Sequence, residues 1–349
     1  MDSRQKTPRG IVFRRGEAED ELSTFDVMRR SMNAEMSWSN HSAMRHHLRN
    51  SPNCSFWVAE DTPRFGSPRI VGYARAVVRD SVWSLTEFFV TPSQHRQGVG
   101  GTLLSRCIQD GERAGADTRL VLASHHPDAD SLYIRRAGCF PRLPMMLLSG
   151  PSTTLIDPAP GKLPIEDTTI IGYHADRTNS FSEDDPKIVA STLVLNAGIQ
   201  AELDALDREI VGYARPTEHG FWAEQMGGDR GAARIFRSVQ PDGTTPIMGY
   251  SYIGAACSGP TVALNPAHQS RFYYHVSGIA RQVYRSSFDL TGGLLSSSEQ
   301  YCAVAGINEV MLQWLLASGW QIVFQYLFTC TRTLGKMDSY VCHNPLYVL

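Results

Sequence analysis

The sequence predicts an α+β protein of two domains, and three observations support this. The chain has 349 residues, which exceeds the usual size of one domain. Its first half alternates short apolar runs with helical patterns, and its second half repeats that alternation. Between the halves lies a stretch rich in Gly and Pro. We therefore expect a disordered leader at 1–9, domains at 10–150 and 166–349, and a linker at 151–165.

The first half is predicted to follow the order β-α-α-β-β-β-α-β-α-β. Each predicted strand is a short apolar run between turn residues. Each predicted helix carries apolar residues spaced three or four positions apart, as Leu22, Phe25, Met28 and Met32 do. The strands are expected at 10–14, 55–59, 70–78, 82–90, 119–123 and 145–148, and the helices at 17–32, 40–48, 100–114 and 128–137.

Composition limits the classes of partner. The formal net charge is -2, so a broad surface for nucleic acid is not expected. No apolar run reaches the ~18 residues that a membrane span needs, and the polar, basic first ten residues do not resemble a secretory signal. Seven scattered cysteines without a Cys-x-x-Cys pair indicate reduced thiols and a cytoplasmic location.

The segment 90–104 carries the strongest functional signal. Gly98, Gly100 and Gly101 follow a predicted strand and a proline turn, and they open a predicted helix. Glycines allow close approach of the backbone to a ligand, and the first N–H groups of a helix bind phosphate. A Walker A loop would require a lysine, which is missing here. The spacing also differs from that of a dinucleotide fold. The pattern therefore predicts a phosphate loop of another kind.

Two motifs resemble those of the GNAT superfamily of acyl-CoA-dependent N-acetyltransferases. The first is Val90-Thr91-Pro92 followed by the segment 95–100, with His95 where Gln or Arg is usual. The second is the segment 126–133, in which Ala129, Leu132 and Tyr133 match in register, before a glycine and an aromatic residue at Gly138 and Phe140. His126 stands where Asn is usual, and Cys139 separates the last pair. The resemblance spans roughly residues 10–150.

The resemblance implies a mixed, mostly antiparallel central sheet flanked by helices, and acetyl-CoA as co-substrate without a metal. It implies direct attack of a primary amine, from a small molecule or a peptide, on the thioester in a ternary complex. Tyr133 would be the general acid and Glu87 the general base. The pantetheine arm would pair with the backbone of Phe89 and Val90. The diphosphate would bind the amides of the loop, which are those of Arg96, Gln97, Gly98, Val99, Gly100, Gly101 and Thr102.

Several alternatives stay open. Glu87 fits a solvated strand carboxylate, and Tyr133 fits a residue that caps the core. Met36 and Trp38 fit either the acceptor site or ordinary packing. His41, His46 and His47 lack the complementary ligands of a metal site. At the level of function, the alternative to the enzyme is a non-catalytic acyl-CoA-binding sensor or interaction module that retains the fold.

The second half is predicted to be a degenerate copy of the first. Its helices are expected at 187–206, 265–284 and 310–318, and its strands at 233–238, 246–253, 259–264 and 321–328. The segment 90–93 aligns with 264–267, so Phe272 meets Gly98 and Tyr274 meets Gly100. Bulky side chains cannot form the same amide nest. We therefore expect this half to have lost acyl-CoA binding.

Overall fold

The computed structural model of the chain describes residues 10–32, 38–63, 66–124, 126–160, 165–168, 187–226, 232–254, 258–291 and 299–342. The predicted leader and the candidate acceptor residue Met36 lie outside these ranges.

The described chain forms two compact units that exchange segments. The first unit comprises the residues up to Arg142 together with Leu327–Thr333. The second comprises Leu143–Tyr326 and, among the described residues that follow, Leu334–Cys342. Each unit therefore contains a strand segment from the other half of the sequence. The predicted domains, 10–150 and 166–349, do not include this exchange.

The first unit has one mixed sheet with the strand order β1-β2-β3-β4-β5-β13. Strands β4 and β5 run parallel, and the other neighbours are antiparallel. The strands are β1 Ile11–Arg15, β2 Ser55–Asp61, β3 Arg69–Arg79, β4 Val82–Val90, β5 Thr118–Ala123 and, from Leu327, β13 Gln321–Cys330. The helices are α1 Glu21–Met32, α2 Trp38–Asn50, α3 Val99–Arg113 and α4 Pro127–Leu132, which a π-helical turn at Tyr133–Ala137 extends.

The second unit repeats the same element order around a sheet of order β6-β12-β14-β11-β10-β9-β8-β7. Its neighbours are antiparallel except for β7 and β8. The strands are β6 Phe140–Pro151, β7 Glu166–Asp167, β8 Ile188–Thr192, β9 Ala233–Ser238, β10 Ile247–Ile253, β11 Ser258–Ala263, β12 Glu299–Ala305 and β14 Tyr340–Cys342. The helices are α5 Ala197–Ile210, α6 Pro216–Met226, α7 Pro266–Thr291 and α8 Glu309–Ala317.

The predicted element order of the first half is confirmed, but one prediction for the second half is wrong. Residues 187–206 do not form one helix, because strand β8 occupies Ile188–Thr192 and α5 begins only at Ala197. Asn196 lies between β8 and α5, and its side chain caps α5 by accepting hydrogen bonds from the N–H groups of Gly198 and Ile199. The sequence also missed α6, β12 and β14.

Helix α3 is fixed by its apolar face, and this places its N-terminus beside the end of β4. Val99, Leu103, Leu104 and Cys107 are fully buried in the core of the first unit. Burial of each leucine stabilises the fold by about 1.5–3 kcal/mol. A Cβ at Gly111 would lie 2.3 Å from Cδ1 of Trp83, so glycine is needed for the close approach of α3 to the sheet.

Candidate functional site

Strand β4 leaves its neighbour β5 halfway along its length. Val82–Leu85 pair with Thr118–Val121 of β5. The described residues that follow in β4 do not pair with β5. The register against β3 shifts at the same place, where Ala76 faces Leu85 but Arg75 faces Glu87. Thr86 is thus the extra residue of a β-bulge, which bends and twists the strand. The last residues of β4 therefore present an open edge.

Hydrogen bonding shows which backbone groups point towards this edge. Thr91 donates its N–H to the carbonyl of Val71 at 2.8 Å. Bonded and non-bonded pairs alternate along an antiparallel ladder, so the backbone of Phe89 bonds with Tyr73 on β3. The groups of Phe88 and Val90 then face the open edge. The structure thus turns the backbone of Phe89, which we expected at the ligand, towards β3.

Residues 91–98 link β4 to α3 and lead into a cluster of amides that have no partner within the helix. Arg96 and Gly98 both have positive φ, 61° and 88°. The first hydrogen bond of the helix runs from Thr102 N–H to the carbonyl of Gly98. Because the N-cap residue Gly98 has no side chain, it cannot accept a hydrogen bond from the first amides of α3. The N–H groups at positions 99–101 therefore have no partner within the helix. Together with the positive end of the helix dipole, they form an anion-binding nest.

Side chains around the loop hold it in this conformation. His95 Nε2 lies 2.8 Å from the carbonyl of Val90, and Gln97 donates to the carbonyl of Ser93 at 2.8 Å. The side chain of Arg96 is exposed and pairs with Asp128 at 3.3 Å. The loop is thus ordered by its own contacts.

Tyr133 lies just after α4, and its ring packs edge-on to Phe88 of β4 at 6.0 Å. The residue is 7% exposed, and among the described residues no hydrogen bond to its hydroxyl is found. Burial, helped by the charge of Asp130, raises the pKa of this phenol above its ordinary value of 10.0. The hydroxyl therefore keeps its proton at neutral pH.

Glu87, in contrast, belongs to a buried ion network. Its carboxylate contacts Arg45 of α2 through one oxygen and Arg75 of β3 through the other, the latter at 3.2 Å. The same two arginines bind Glu21 of α1 at 3.0 and 2.8 Å. Arg45 also donates to the hydroxyl of Tyr73 at 3.1 Å.

This pairing decides what Glu87 can do. The residue is 2% exposed, and both of its oxygens face guanidinium groups. A carboxylate held in this way stabilises the contacts among α1, α2, β3 and β4, and it does not face an incoming amine. The geometry thus favours a structural role. The sequence could not reveal this, because the four charges lie far apart along the chain.

The candidate acceptor residue Trp38 packs at the start of α2. Its ring lies 5.3 Å from that of Phe25, and the guanidinium of Arg45 lies 5.9 Å above it. Trp38 also borders an open pocket of about 430 Å³ between α1 and α2, together with Glu21 and Arg49. Both packing and ligand contact are thus compatible with its position.

The histidines of α2 have local partners. His41 packs against Phe25 at 5.5 Å, and His46 contacts Asn50 at 2.8 Å. In the part of the chain that the structure describes, no group of three or more His, Cys, Asp or Glu side chains is arranged to hold a metal ion. No described helix is both long and apolar enough to cross a membrane.

The second unit differs at the corresponding strand–helix junction. Only two residues separate β11 from α7, whereas eight separate β4 from α3. The Asn265 side chain accepts a hydrogen bond from the N–H of Ala267 at 3.0 Å and so caps α7. Phe272 lies within α7 and stacks on Phe236. The expected alignment of Phe272 with Gly98 is thus wrong, because the loop is shortened and not filled by bulky side chains.

The gap between strands is also closed in the second unit. Strand β14 lies between β11 and β12, where it pairs with β11 through Tyr340 and Val341 and with β12 through Val341 and Cys342. Trp314 precedes Gly319 by five residues, as Tyr133 precedes Gly138, so we align these two residues. Trp314 donates its indole N–H to the carbonyl of Ile156 at 2.9 Å. This unit therefore has neither the open edge nor the free hydroxyl.

Comparisons with known proteins agree with this geometry. Residues 25–138 match the acetyltransferase (GNAT) family. A search of curated protein sequences gave no significant match. Among solved structures, a protein described as a putative acetyltransferase from Pyrococcus horikoshii has a TM-score of 0.62 at 14% identity, over 99% of each chain.

Two further structures have the same fold. A tandem GNAT protein from the clavulanic acid biosynthesis pathway has a TM-score of 0.54 at 15% identity, over 92% of this chain and 98% of its own. A GCN5-related N-acetyltransferase from Sphaerobacter thermophilus has a TM-score of 0.56 at 13% identity, over 96% and 100%. Residues 25–138 therefore form a domain of the GNAT acetyltransferase family, within a chain that has the fold of two-domain GNAT proteins.

Proposed function

We propose that the protein transfers an acetyl group from acetyl-CoA to a primary amine of a small molecule or peptide. The observation that carries this proposal is the open edge of β4 next to the unpaired amides of α3. Such a pair of features suits a ligand with a diphosphate at one end and a peptide-like arm at the other.

In this proposal, the N–H groups of Arg96–Gly101 bind the diphosphate. The N–H of Thr102, which we expected at the ligand, instead donates to the carbonyl of Gly98. The amides of the pantetheine arm pair with the backbone of Phe88 and Val90, as an added strand would. Support comes from the second unit, where the peptide strand β14 occupies the corresponding gap. The Val90 carbonyl would exchange its contact with His95 for a ligand amide.

The chemical step is direct attack in a ternary complex. The neutral amine attacks the thioester carbon, the C–N bond forms, and the C–S bond breaks to release CoA as a thiolate. The Tyr133 hydroxyl donates its proton to that sulfur, and the proton lost by the amine passes through water to restore the phenol. We assign Glu87 to the buried network and not to the base role, because the residue is buried and its carboxylate is ion-paired with Arg45 and Arg75.

One observation favours the alternative of a non-catalytic acyl-CoA sensor. An enzyme with a dedicated carboxylate base would leave that base accessible, and Glu87 is buried. Acetyl-CoA binding by calorimetry and thiol release over a broad panel of amines separate the two functions. The enzyme predicts release of free CoA that depends on one class of amine. Binding without amine-dependent release over the whole panel would favour the sensor.

A further inference from the structure

A basic groove runs along the side of α3 that faces β1 and β2. It has a volume of about 500 Å³ and is lined by Arg15, Trp57, Thr102, Arg106, Asp110 and Arg113, among others. Three arginines thus surround a single carboxylate. A concave site with a few convergent polar groups is the usual form of a ligand site.

Two of these arginines already have a carboxylate partner. Asp110 binds Arg15 at 2.5 Å and Arg113 at 3.0 Å, and it accepts hydrogen bonds from Ser55 at 2.6 Å and Trp57 at 2.7 Å. Burial alone would raise the pKa of this carboxyl, but the hydrogen bonds outweigh burial and hold its pKa below the ordinary value. Asp110 therefore stays charged, and its oxygens are occupied.

Arg106 is paired differently. Its guanidinium lies 4.5 Å from the ring of Trp57 and 5.5 Å from that of Phe13. Among the described residues no carboxylate lies within ion-pair distance of it. Stacking uses the face of a guanidinium and leaves the N–H groups on its edge available for an anion. Arg106 is thus a half-buried cation that is held in place without being neutralised.

The position of Arg106 relates it to the amide nest. Thr102 directly follows the nest residues in α3, and it also lines the groove. Arg106 follows it by one helical turn, which is about 6 Å along the axis. The Cα–Cβ bond of a helical residue is tilted towards the N-terminus of the helix, so an arginine one turn beyond the nest can extend towards it. A second phosphate about one ribose away from the diphosphate could therefore reach the guanidinium.

We propose that Arg106 binds the 3′-phosphate of the coenzyme and so makes the protein prefer acetyl-CoA to acetyl-3′-dephospho-CoA. This inference rests on the proposed acetyl-CoA site and extends it into the groove beside α3. The phosphomonoester carries a charge of about −1.5 to −2, which is more than the single charge on each phosphate of the diphosphate. Its charge-assisted contact with a planar guanidinium is among the stronger hydrogen bonds.

The test compares the dissociation constants of acetyl-CoA and acetyl-3′-dephospho-CoA by calorimetry with the full chain. The wild type should prefer acetyl-CoA by about tenfold to a hundredfold. Arg106→Gln should reduce this preference to less than about threefold, mainly because the variant binds acetyl-CoA more weakly. Arg106→Lys should retain part of it. Arg69→Gln is the matched control, because Arg69 is exposed and lies on β3, outside the groove.

Binding of the dephospho compound shows whether the variant still folds, since its affinity should be the same in the wild type and Arg106→Gln. Equal affinities of the two compounds for the wild type, or an unchanged preference in Arg106→Gln, would overturn the inference and leave the acetyl-CoA site intact. Failure of both compounds to bind the wild type would overturn the proposed function itself. Inorganic phosphate at millimolar concentration should compete with the 3′-phosphate. Loss of the preference for acetyl-CoA on addition of phosphate to the wild type would support the inference.

Discussion

The two units share an element order but differ where a strand leads into a helix. In the first unit, the end of β4 presents an open edge, and the first N–H groups of α3 have no partner within the helix. In the second unit, β14 covers the edge of β11, and Asn265 caps the helix. The difference shows that the fold alone does not create a ligand site. The site needs an uncovered strand and a loop long enough to expose the amides.

Buried polar clusters support both units, and they differ in composition. The first unit uses two arginines and two glutamates. In the second unit, Asp207 binds Arg215 at 2.9 Å and His219 at 3.1 Å, with tyrosine hydroxyls as further partners. Both clusters join helices to the central sheet, so they serve the fold and do not depend on the presence of a ligand site.

The largest effect is expected from Gly100→Leu. A Cβ at Gly100 would lie 3.1 Å from Cζ of Phe88 and 3.7 Å from Cγ2 of Val90, so a leucine would project into the crevice beside the open edge. Affinity for acetyl-CoA should fall about 1000-fold or more by calorimetry. Gly220→Leu in α6 is the matched control, because nothing lies within 4 Å of its Cβ. Unchanged affinity in Gly100→Leu would refute the assignment of the site.

Tyr133→Phe removes the hydroxyl that is missing from the aligned residue of the second unit, Trp314. Loss of the acid should lower kcat by about 100-fold to 1000-fold. KM for acetyl-CoA should change less than about threefold. Tyr301→Phe, at an exposed tyrosine of β12, serves as control and should leave kcat unchanged. If kcat of Tyr133→Phe matched the wild type, the hydroxyl would not be the proton donor.

Glu87→Gln separates a structural role from a base role. Removal of one charge leaves Arg45 and Arg75 incompletely compensated in the core, which should lower the free energy of unfolding by about 3 kcal/mol in urea. Glu112→Gln should cost less than about 0.5 kcal/mol, since its pair with Arg119 is exposed. A variant of wild-type stability that had lost activity would instead identify Glu87 as a base.

The acid stability of the second unit should depend on Asp207. Burial would raise the pKa of this carboxyl, but Arg215 and His219 outweigh burial and lower its pKa from 3.8 to about 2. Because the folded pKa is depressed, the stabilisation is complete above pH ~4 and is lost as the pH falls towards 2. The shift corresponds to about 2 kcal/mol. Urea unfolding at several pH values should show this loss for the wild type and not for Asp207→Asn.

Local patterns predicted much of the first unit, because its site is built from contiguous segments. The extent of β4, the glycine loop and the position of Tyr133 after a short helix all follow from residues close together in sequence. The pairing of Glu87 depends on Arg45 and Arg75, which only the fold brings near it. Strand β14 has three residues and no periodicity that a sequence could show.

The sequence also did not predict that the two units exchange strand segments. Leu327–Cys330 of β13 pair with β5 in the first unit, and β6 pairs with β12 in the second. Both exchanged strands have apolar patterns that fit either sheet, so hydrophobicity does not say which partner each one takes. Long-range pairing of this kind is decided by the lengths of the connecting segments and by packing.

A crystal structure of the full chain with bound CoA tests the central claim most directly. We predict that the diphosphate will contact the main-chain N–H groups at the start of α3, with the pantetheine arm beside Phe88 and Val90 and the sulfur near the Tyr133 hydroxyl. Coenzyme bound instead against α7 or β11 of the second unit, with the first unit's crevice empty, would contradict the account.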